Sequence, residues 1–393
     1  MHKRSAILLL NVAHAVDHMF LLIFATAVAS IAADFGFARW EDLMPFGAGA
    51  FVMFGLGSLP SGRLGDLWGR RAMMVTFFFG IGASSLLASL AQGPWQLAIA
   101  LALIGTFASI YHPVGIPMLL QSAARPGATI GINGLAGNLG IAVAAALTGL
   151  LMHWLGWRAA FAVPGIVCIA LGIVFLRVVP PETESPAKRK GGARLRLSRS
   201  QVARALTVMT IASATGSILF NFTTNGNTQL LSERFRGVMN DPATLGVLLA
   251  SIYAVASLAQ VVVGRLIDRV ALKPLYLSMA LLQVPVLLFS AHEQGWWLYA
   301  GLLATMVFIF GAIPFTDAMI VRFVDDHMRS RVAGMRLAVS LGISSPAVWL
   351  LGPLVKGMGF DRLLVVLAGV AMCTAFTVLW LPSEATARAP AAA

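Results

Sequence analysis

Polar residues are sparse along this chain, and long apolar stretches stand between them. Twelve stretches have the length of a membrane-crossing helix, for which about 20 mostly apolar residues suffice. They cover 7–32, 43–64, 72–91, 95–120, 129–155, 159–179, 206–230, 244–267, 275–292, 297–321, 332–355 and 363–381. Between the sixth and seventh lies "PPETESPAKRKGGARLRLSRSQ", first rich in proline and then strongly basic. The pattern predicts an all-α membrane protein with four parts: a six-helix bundle over 1–179, a linker over 180–203, a second six-helix bundle over 204–382, and a short tail over 383–393.

The two halves repeat each other. "GRLGD" (62–66) recurs as "GRLID" (264–268), offset by 202, and Pro113 recurs as Pro314, offset by 201. "LGI" at 139–141 returns at 341–343, and "LGW" at 155–157 faces "MGF" at 358–360. A nearly constant spacing marks an internal duplication. The expected architecture is therefore twelve transmembrane helices in two pseudo-symmetric bundles. Duplicated halves suit a transporter that rocks around a central site.

Composition agrees with that picture. The chain is 58% hydrophobic and 11% charged, with a mean hydropathy of +0.83, whereas soluble domains carry about 25% charged residues. The net charge of +12 does not point to nucleic acid, because its distribution follows the spans. With both termini cytoplasmic, only Arg39, Arg158, Arg234, Arg236, Lys356 and Arg362 of the 28 Lys and Arg fall outside cytoplasmic loops, tails or helix ends. This asymmetry orients the chain and implies contact with anionic lipid at the cytoplasmic face. Cys168 and Cys373 read as small buried apolar residues. "AVAS" (27–30) resembles a signal cleavage site, but the apolar region before it is too long and is interrupted by His14, Asp17 and His18, so the first helix is read as uncleaved. Trp95, Trp157, Trp296 and Trp297 sit at expected outer helix ends and read as interfacial anchors.

The loop after the second span reads "GRLGDLWGRR". Gly62 and Gly65 allow two helices to approach closely. Asp66 stands where it can pair with arginines or cap a helix, Gly69 allows a tight turn, and Arg70 and Arg71 stay in the headgroup zone. Such a cluster can act as a conformational latch. The loop resembles the signature G-x-L-x-D-x-x-G-R-R/K of the major facilitator superfamily, with Leu67 where a basic residue often follows the Asp. The second copy keeps Gly264, Leu266, Asp268 and Arg269 before turning into "VALKP". The resemblance implies alternating-access transport by a multi-pass protein of the bacterial inner membrane. A finer resemblance, to the fosmidomycin-resistance branch of efflux transporters, rests on "YHPVG" (111–115), "GLAGNLG" (134–140) and the His/Asp cluster of the first span. The Gly-Pro that this branch carries further along helix five is replaced here by "AVAAAL" (142–147).

Ionisable residues deep in a spanning helix are costly and usually face a cavity or a partner. His14 and His18 are four apart and share a face, with Asp17 adjoining. Tyr111 and His112 fall mid-span, just before Pro113, which together with Pro117 is expected to break or kink the helix. The resemblance puts helices one, four, seven and ten on the central cavity, and so gathers His14, Asp17, His18, Tyr111 and His112. Three readings stay open for them: proton carriers, transition-metal ligands, or a structural polar network.

The seventh span carries "NFTTNGNTQ". Asn221, Thr224, Asn225 and Asn227 suit a hydrogen-bonding substrate site, and Gly226 is placed to interrupt the helix. Asp317 and Arg336 read as a buried ion pair, or Arg336 as the partner of an anionic substrate group. Asn133 and Asn138, five apart, do not share a face, and Asn138 beside Gly137 and Gly140 reads as packing.

No Ser/His/Asp elbow, His-Glu-x-x-His or phosphate loop is present, so no enzyme is expected. No cofactor or resident metal is expected, and a monomer is. The leading expectation is a proton-coupled secondary transporter exporting a small organic molecule or drug. The alternative is a carrier of a transition metal or metal chelate that uses His14, His18 and His112.

Overall fold

The computed structural model describes residues 2–120, 126–180, 198–324 and 326–382. Most of the expected linker, 181–197, and the expected tail, 383–393, lie outside the described residues. The described chain is all helical. Helix α1 covers His2–Asp34. A short α2, Trp40–Leu43, leads through a 3-10 turn, Met44–Gly47, into α3, Ala48–Trp68. Then come α4 (Arg70–Ser89), α5 (Pro94–Ala108), a π-helical turn (Tyr111–Gly115) and α6 (Ile116–Leu120). Helices α7 (Pro126–Leu155) and α8 (Trp157–Val178) precede the linker. After it follow α9 (Arg199–Arg234), α10 (Pro242–Ile267), α11 (Leu272–His292), α12 (Gly295–Phe323) and α13 (Asp326–Val378). Eleven helical stretches among the described residues are long and apolar enough to cross a membrane.

The internal repeat is visible as geometry. Gly156, between α7 and α8, has φ 81° and ψ 170°. Gly359, its counterpart at an offset of 203, has φ 76° and ψ 168° and interrupts α13. Both adopt a left-handed conformation that an L side chain avoids. The capping is also repeated. At the start of α4, Arg71 donates through Nε to Val179 O at 2.5 Å and through a terminal nitrogen to Leu176 O at 2.6 Å. At the start of α11, Lys273, in the same place of the repeat, donates to Leu379 O at 2.6 Å. In each case a cation satisfies the orphan carbonyls of a helix C-terminus and complements its dipole. The "VALKP" stretch thus keeps the function of Arg71 in different letters.

Small residues set the helix approaches. A Cβ on Gly105 of α5 would lie 1.9 Å from Ala50 O of α3, and one on Gly140 of α7 would lie 2.1 Å from Ala15 O of α1. Close backbone contact through small residues is the usual packing device in lipid, where apolar burial gives helices no net attraction. Helix α7 packs along both α1 and α10, and α13 packs along both α3 and α9. The α7–α10 and α3–α13 contacts, together with those of α1 against α9, are the seams between the first and second parts of the chain. Polar contacts cross them at one end of the molecule: Lys356 Nζ with Asp42 Oδ1 at 2.5 Å, His153 Nδ1 with Asp241 Oδ1 at 2.8 Å, and Gln229 Nε2 donating to Ala25 O at 3.1 Å.

Several expectations change. Gly226 does not interrupt its helix, since α9 runs unbroken from Arg199 to Arg234. Gly226 packs against Leu351 and Phe360 instead, and tertiary packing overrides glycine's weak helix propensity. Trp157 is no interfacial anchor. It is 5% exposed, its Nε1 donates to Asp34 Oδ2 at 3.2 Å, and the Arg158 guanidinium stacks on its ring. Trp95, Trp296 and Trp297 are exposed, as anchors should be. Cys168 is buried, but Cys373 is exposed on the outer face of a spanning helix.

Candidate functional site

The site forms where α1, the π-turn and α7 meet. Pro113 lacks an N–H, so the helix cannot keep its α ladder there. The break expected at Pro113 and Pro117 takes the form of a π-turn over Tyr111–Gly115. Such turns widen the helix and are common at functional sites. The wider turn is held by α3: a Cβ on Gly62 would meet Pro113 Cβ at 3.3 Å, and one on Gly65 would meet Val114 Cγ2 at 2.8 Å. The signature glycines after the second span therefore act by letting α3 lie against the π-turn.

This packing brings His14, Asp17 and His18 of α1 against Tyr111 and His112. The His14 ring stacks on Tyr111 with centroids 4.7 Å apart and meets His18 and His112 edge-on at 4.8 and 5.2 Å. One ring nitrogen from each of the three histidines lies within 4.8 Å of the others. His112 Nε2 is 3.5 Å from Asp17 Oδ2. Asp17 is 0% exposed, and among the described residues neither of its carboxylate oxygens has a hydrogen-bond partner. His14 Nε2 is likewise buried without a partner.

A neutral network holds the back of the cluster. His14 Nδ1 bonds to Asn133 O at 2.7 Å, which directs the free Nε2 toward the other histidines. The Asn133 amide donates to Tyr111 OH at 2.7 Å and to Asn11 Oδ1 at 2.9 Å, and Tyr111 donates to Leu10 O at 2.9 Å. The sequence alone offers no reason to join Asn133 and Asn11 to the site. The available signal is that a buried amide in a spanning helix requires partners.

The amides of the seventh span are turned inward on their own helix. Asn221 Nδ2 donates to Ser217 O at 2.9 Å, Thr224 Oγ1 to Phe220 O at 2.6 Å, and Asn225 Nδ2 to Asn221 O at 3.0 Å. These donors are occupied four residues back along the chain. Asn227 differs, since its Nδ2 is buried with no partner among the described residues.

Asp317 of α12 and Arg336 of α13 form the anticipated ion pair, Nη2 to Oδ1 at 2.8 Å. Both lie within electrostatic reach of His112 across the seam.

The latch residues lie at the end of α3, the start of α4 and the end of α10. Asp66 lies in the last turn of α3, with its side chain outside the described residues. Gly69 takes φ 93° between α3 and α4, and Arg70 opens α4. The hydrogen bonds of Arg71 run to α8, within the first part of the chain. Asp268 and Arg269 are exposed at the end of α10.

Three comparisons bear on this geometry. A probable actinorhodin transporter of Streptomyces coelicolor is 35% identical over 137 residues, which is 33% of this chain but only 23% of that protein. Multidrug resistance protein MdtG of Dickeya zeae is 24% identical over 336 residues, 80% of this chain and 78% of that one. In shape, the chain is similar to a bacterial homologue of the human lysosomal transporter Spinster, crystallised inward-facing and occupied, with a TM-score of 0.72 at 14% identity over 97% of this chain and 94% of that one. The family model of the Major Facilitator Superfamily matches residues 10–343, and the chain belongs to that superfamily: it is a membrane transporter and not an enzyme.

Proposed function

We propose that the protein is a proton-coupled secondary transporter that exports a small organic molecule across the bacterial inner membrane by alternating access. In this reading it has twelve spanning helices, six before the basic linker and six after it, with both termini in the cytoplasm, and the break at Gly359 that divides α13 supports that count. The repeat offsets and the matched Arg71 and Lys273 caps support two bundles related by duplication. The polar contacts Lys356–Asp42, His153–Asp241 and Gln229–Ala25 then lie on the outer side and tie the two bundles together there. Export of organic compounds is favoured by the relatives named for drug resistance and for transport of actinorhodin.

The observation that carries proton coupling is Asp17. A fully buried carboxylate with no hydrogen-bond donor requires a proton, an imidazolium or a cation to balance it. His112 stands 3.5 Å away and also feels the Asp317–Arg336 pair of the other bundle. A proton passed between Asp17 and His112 would therefore link the charge of one bundle to the position of the other. The test is Asp17→Asn in everted membrane vesicles, with the dissipation of an imposed pH gradient by each compound of a drug panel as readout. Replacing a buried carboxylate that has no hydrogen-bond donor by a neutral amide should leave thermal stability unchanged or raised, while substrate-dependent proton movement disappears. Wild-type proton movement in that variant would overturn the reading.

A second reading treats a transition metal as cargo. It is favoured by the three histidine nitrogens within 4.8 Å and by the bond from His14 Nδ1 to a backbone carbonyl, an arrangement that commonly orients metal-binding histidines. Calorimetry with zinc, nickel, cobalt and iron separates the two readings, since the metal reading requires heat that His14→Ala removes.

A further inference from the structure

The guanidinium of Arg336 has donors left over. Nη2 pairs with Asp317 Oδ1 at 2.8 Å, and Nη1 donates to Thr316 Oγ1 at 2.8 Å. Nε is buried and has no partner among the described residues. Guanidinium presents five N–H donors in a planar fork, and it binds carboxylates and phosphates through two parallel bonds. Asp317 fills one tooth of that fork. Exposure is unequal as well: the Asp317 side chain is 44% exposed and that of Arg336 is 19% exposed. The acid can turn outward to water, whereas the base is held inside. His112, from the other half of the chain, lies within electrostatic reach of both.

We propose that Arg336 is the anion-binding residue of the transport site, that Asp317 is its counter-ion when the site is empty, and that the transported molecule is a small organic oxyanion whose carboxylate or phosphate displaces Asp317. The incoming oxyanion takes Nε and a terminal nitrogen together, Thr316 keeps the other terminal nitrogen in place, and Asp317 is released to water. This deepens the transporter reading and rests on it, but it does not require protons to move through Asp17.

The test is thermal unfolding of the purified full-length protein with four ligands built on one ring: benzoate, phenyl phosphate, benzyl alcohol and benzylammonium. A ligand that binds only the folded state raises the midpoint in proportion to ln(1 + [L]/Kd). Benzoate or phenyl phosphate should raise it, and the stronger of the two identifies the oxyanion. Benzyl alcohol and benzylammonium should not. Arg336→Gln should abolish the shift, and the milder Thr316→Ala should weaken it several-fold. Asp317→Asn removes the resident competitor and should tighten anion binding at least tenfold, a gain that a purely structural ion pair would not give. No shift with either anion, an equal shift with benzylammonium, or anion binding unchanged in Asp317→Asn and Thr316→Ala would each overturn the proposal. Asp17→Asn should keep the anion shift, so loss of proton coupling and loss of anion recognition are read separately.

Discussion

Gly137→Ala is a sharp perturbation of the site, because it adds one methyl group and no charge. The added Cβ would lie 2.7 Å from His14 Cε1, 2.8 Å from Nε2 and 2.9 Å from Nδ1. Ordinary contact begins at 3.4 Å, so the ring must retreat by about 0.7 Å, the distance a core resists because it is packed like an organic crystal. The retreat is away from α7, the helix that carries Asn133. It stretches the 2.7 Å bond from His14 Nδ1 to Asn133 O toward the limit of about 3.2 Å beyond which a hydrogen bond fades. It also pushes His14 toward His18 and His112, which already meet it edge-on.

Overpacking of this kind costs about 1–3 kcal/mol, and each ~1.4 kcal/mol against the working arrangement lowers its population about tenfold. The protein should therefore fold with a modestly lowered unfolding midpoint, while substrate-dependent proton movement in everted vesicles falls by about fivefold to a hundredfold. Gly131→Ala, on the same helix with nothing within 4 Å of its Cβ, is the control. It should gain helix propensity of up to about 1 kcal/mol and transport normally. Wild-type transport by folded Gly137→Ala would refute the claim that the position of His14 matters. Equal losses in both variants would show that α7 tolerates no change at all, which would also remove the argument.

Other outcomes follow from single contacts. Gly140→Ala and Gly105→Ala each drive a Cβ into a backbone carbonyl, of Ala15 and Ala50 respectively, and should lower the midpoint by more than Gly137→Ala does. Arg71→Ala and Lys273→Ala should destabilise in parallel, each by about 0.3–1 kcal/mol, because each removes a cation from the carbonyls of an exposed helix end. Gly226→Ala should retain transport, since its Cβ would meet Leu351 and Phe360 at 3.3–3.4 Å and α9 gains a better helix former. Asp241 caps α10, and the hydroxyl and amide of Thr244 are the main reason its carboxyl is held below the usual carboxylate range, with His153 adding to the effect. A depressed acid contributes stability above its unfolded pKa of about 3.9 and loses it as pH falls through the folded value. Asp241→Ala should therefore lower the unfolding midpoint at pH 7, with the difference shrinking below about pH 4.

The spans and the repeat are legible in the sequence, because lipid forces every backbone polar group into a helix and leaves length and apolarity as the record. Asp17, His14, His18, Tyr111 and His112 are legible as a set for the same reason, since each is too costly in lipid to lack a purpose. What the letters hide is which donors are already occupied. Asn221, Thr224 and Asn225 each spend one donor on a carbonyl four residues back, which the letters do not reveal. Asn133 has no role in the letters until the π-turn carries Tyr111 to it. The π-turn itself is invisible to a 3.6-residue period, because Pro113 signals a broken ladder but not the form of the break.

The duplication explains why chemistry divides between the two halves while the scaffold does not. Structural devices survive in both copies: Arg71 with Lys273, and Gly156 with Gly359. The reactive positions do not. At the repeat offset of 201, His112 faces Ile313 and Tyr111 faces Ala312, and α12 runs through Pro314 with no π-turn. At the offset of 202, Arg336 faces Gly134, a glycine whose added Cβ would strike Gln260 Oε1 at 2.5 Å. The first copy therefore holds an acid ringed by imidazoles, and the second an arginine with donors to spare. The proposed proton coupling would draw on such an asymmetry. If both copies carried the same group, rocking one against the other would present equivalent surroundings on each side, and binding on one side would not change the charge held on the other.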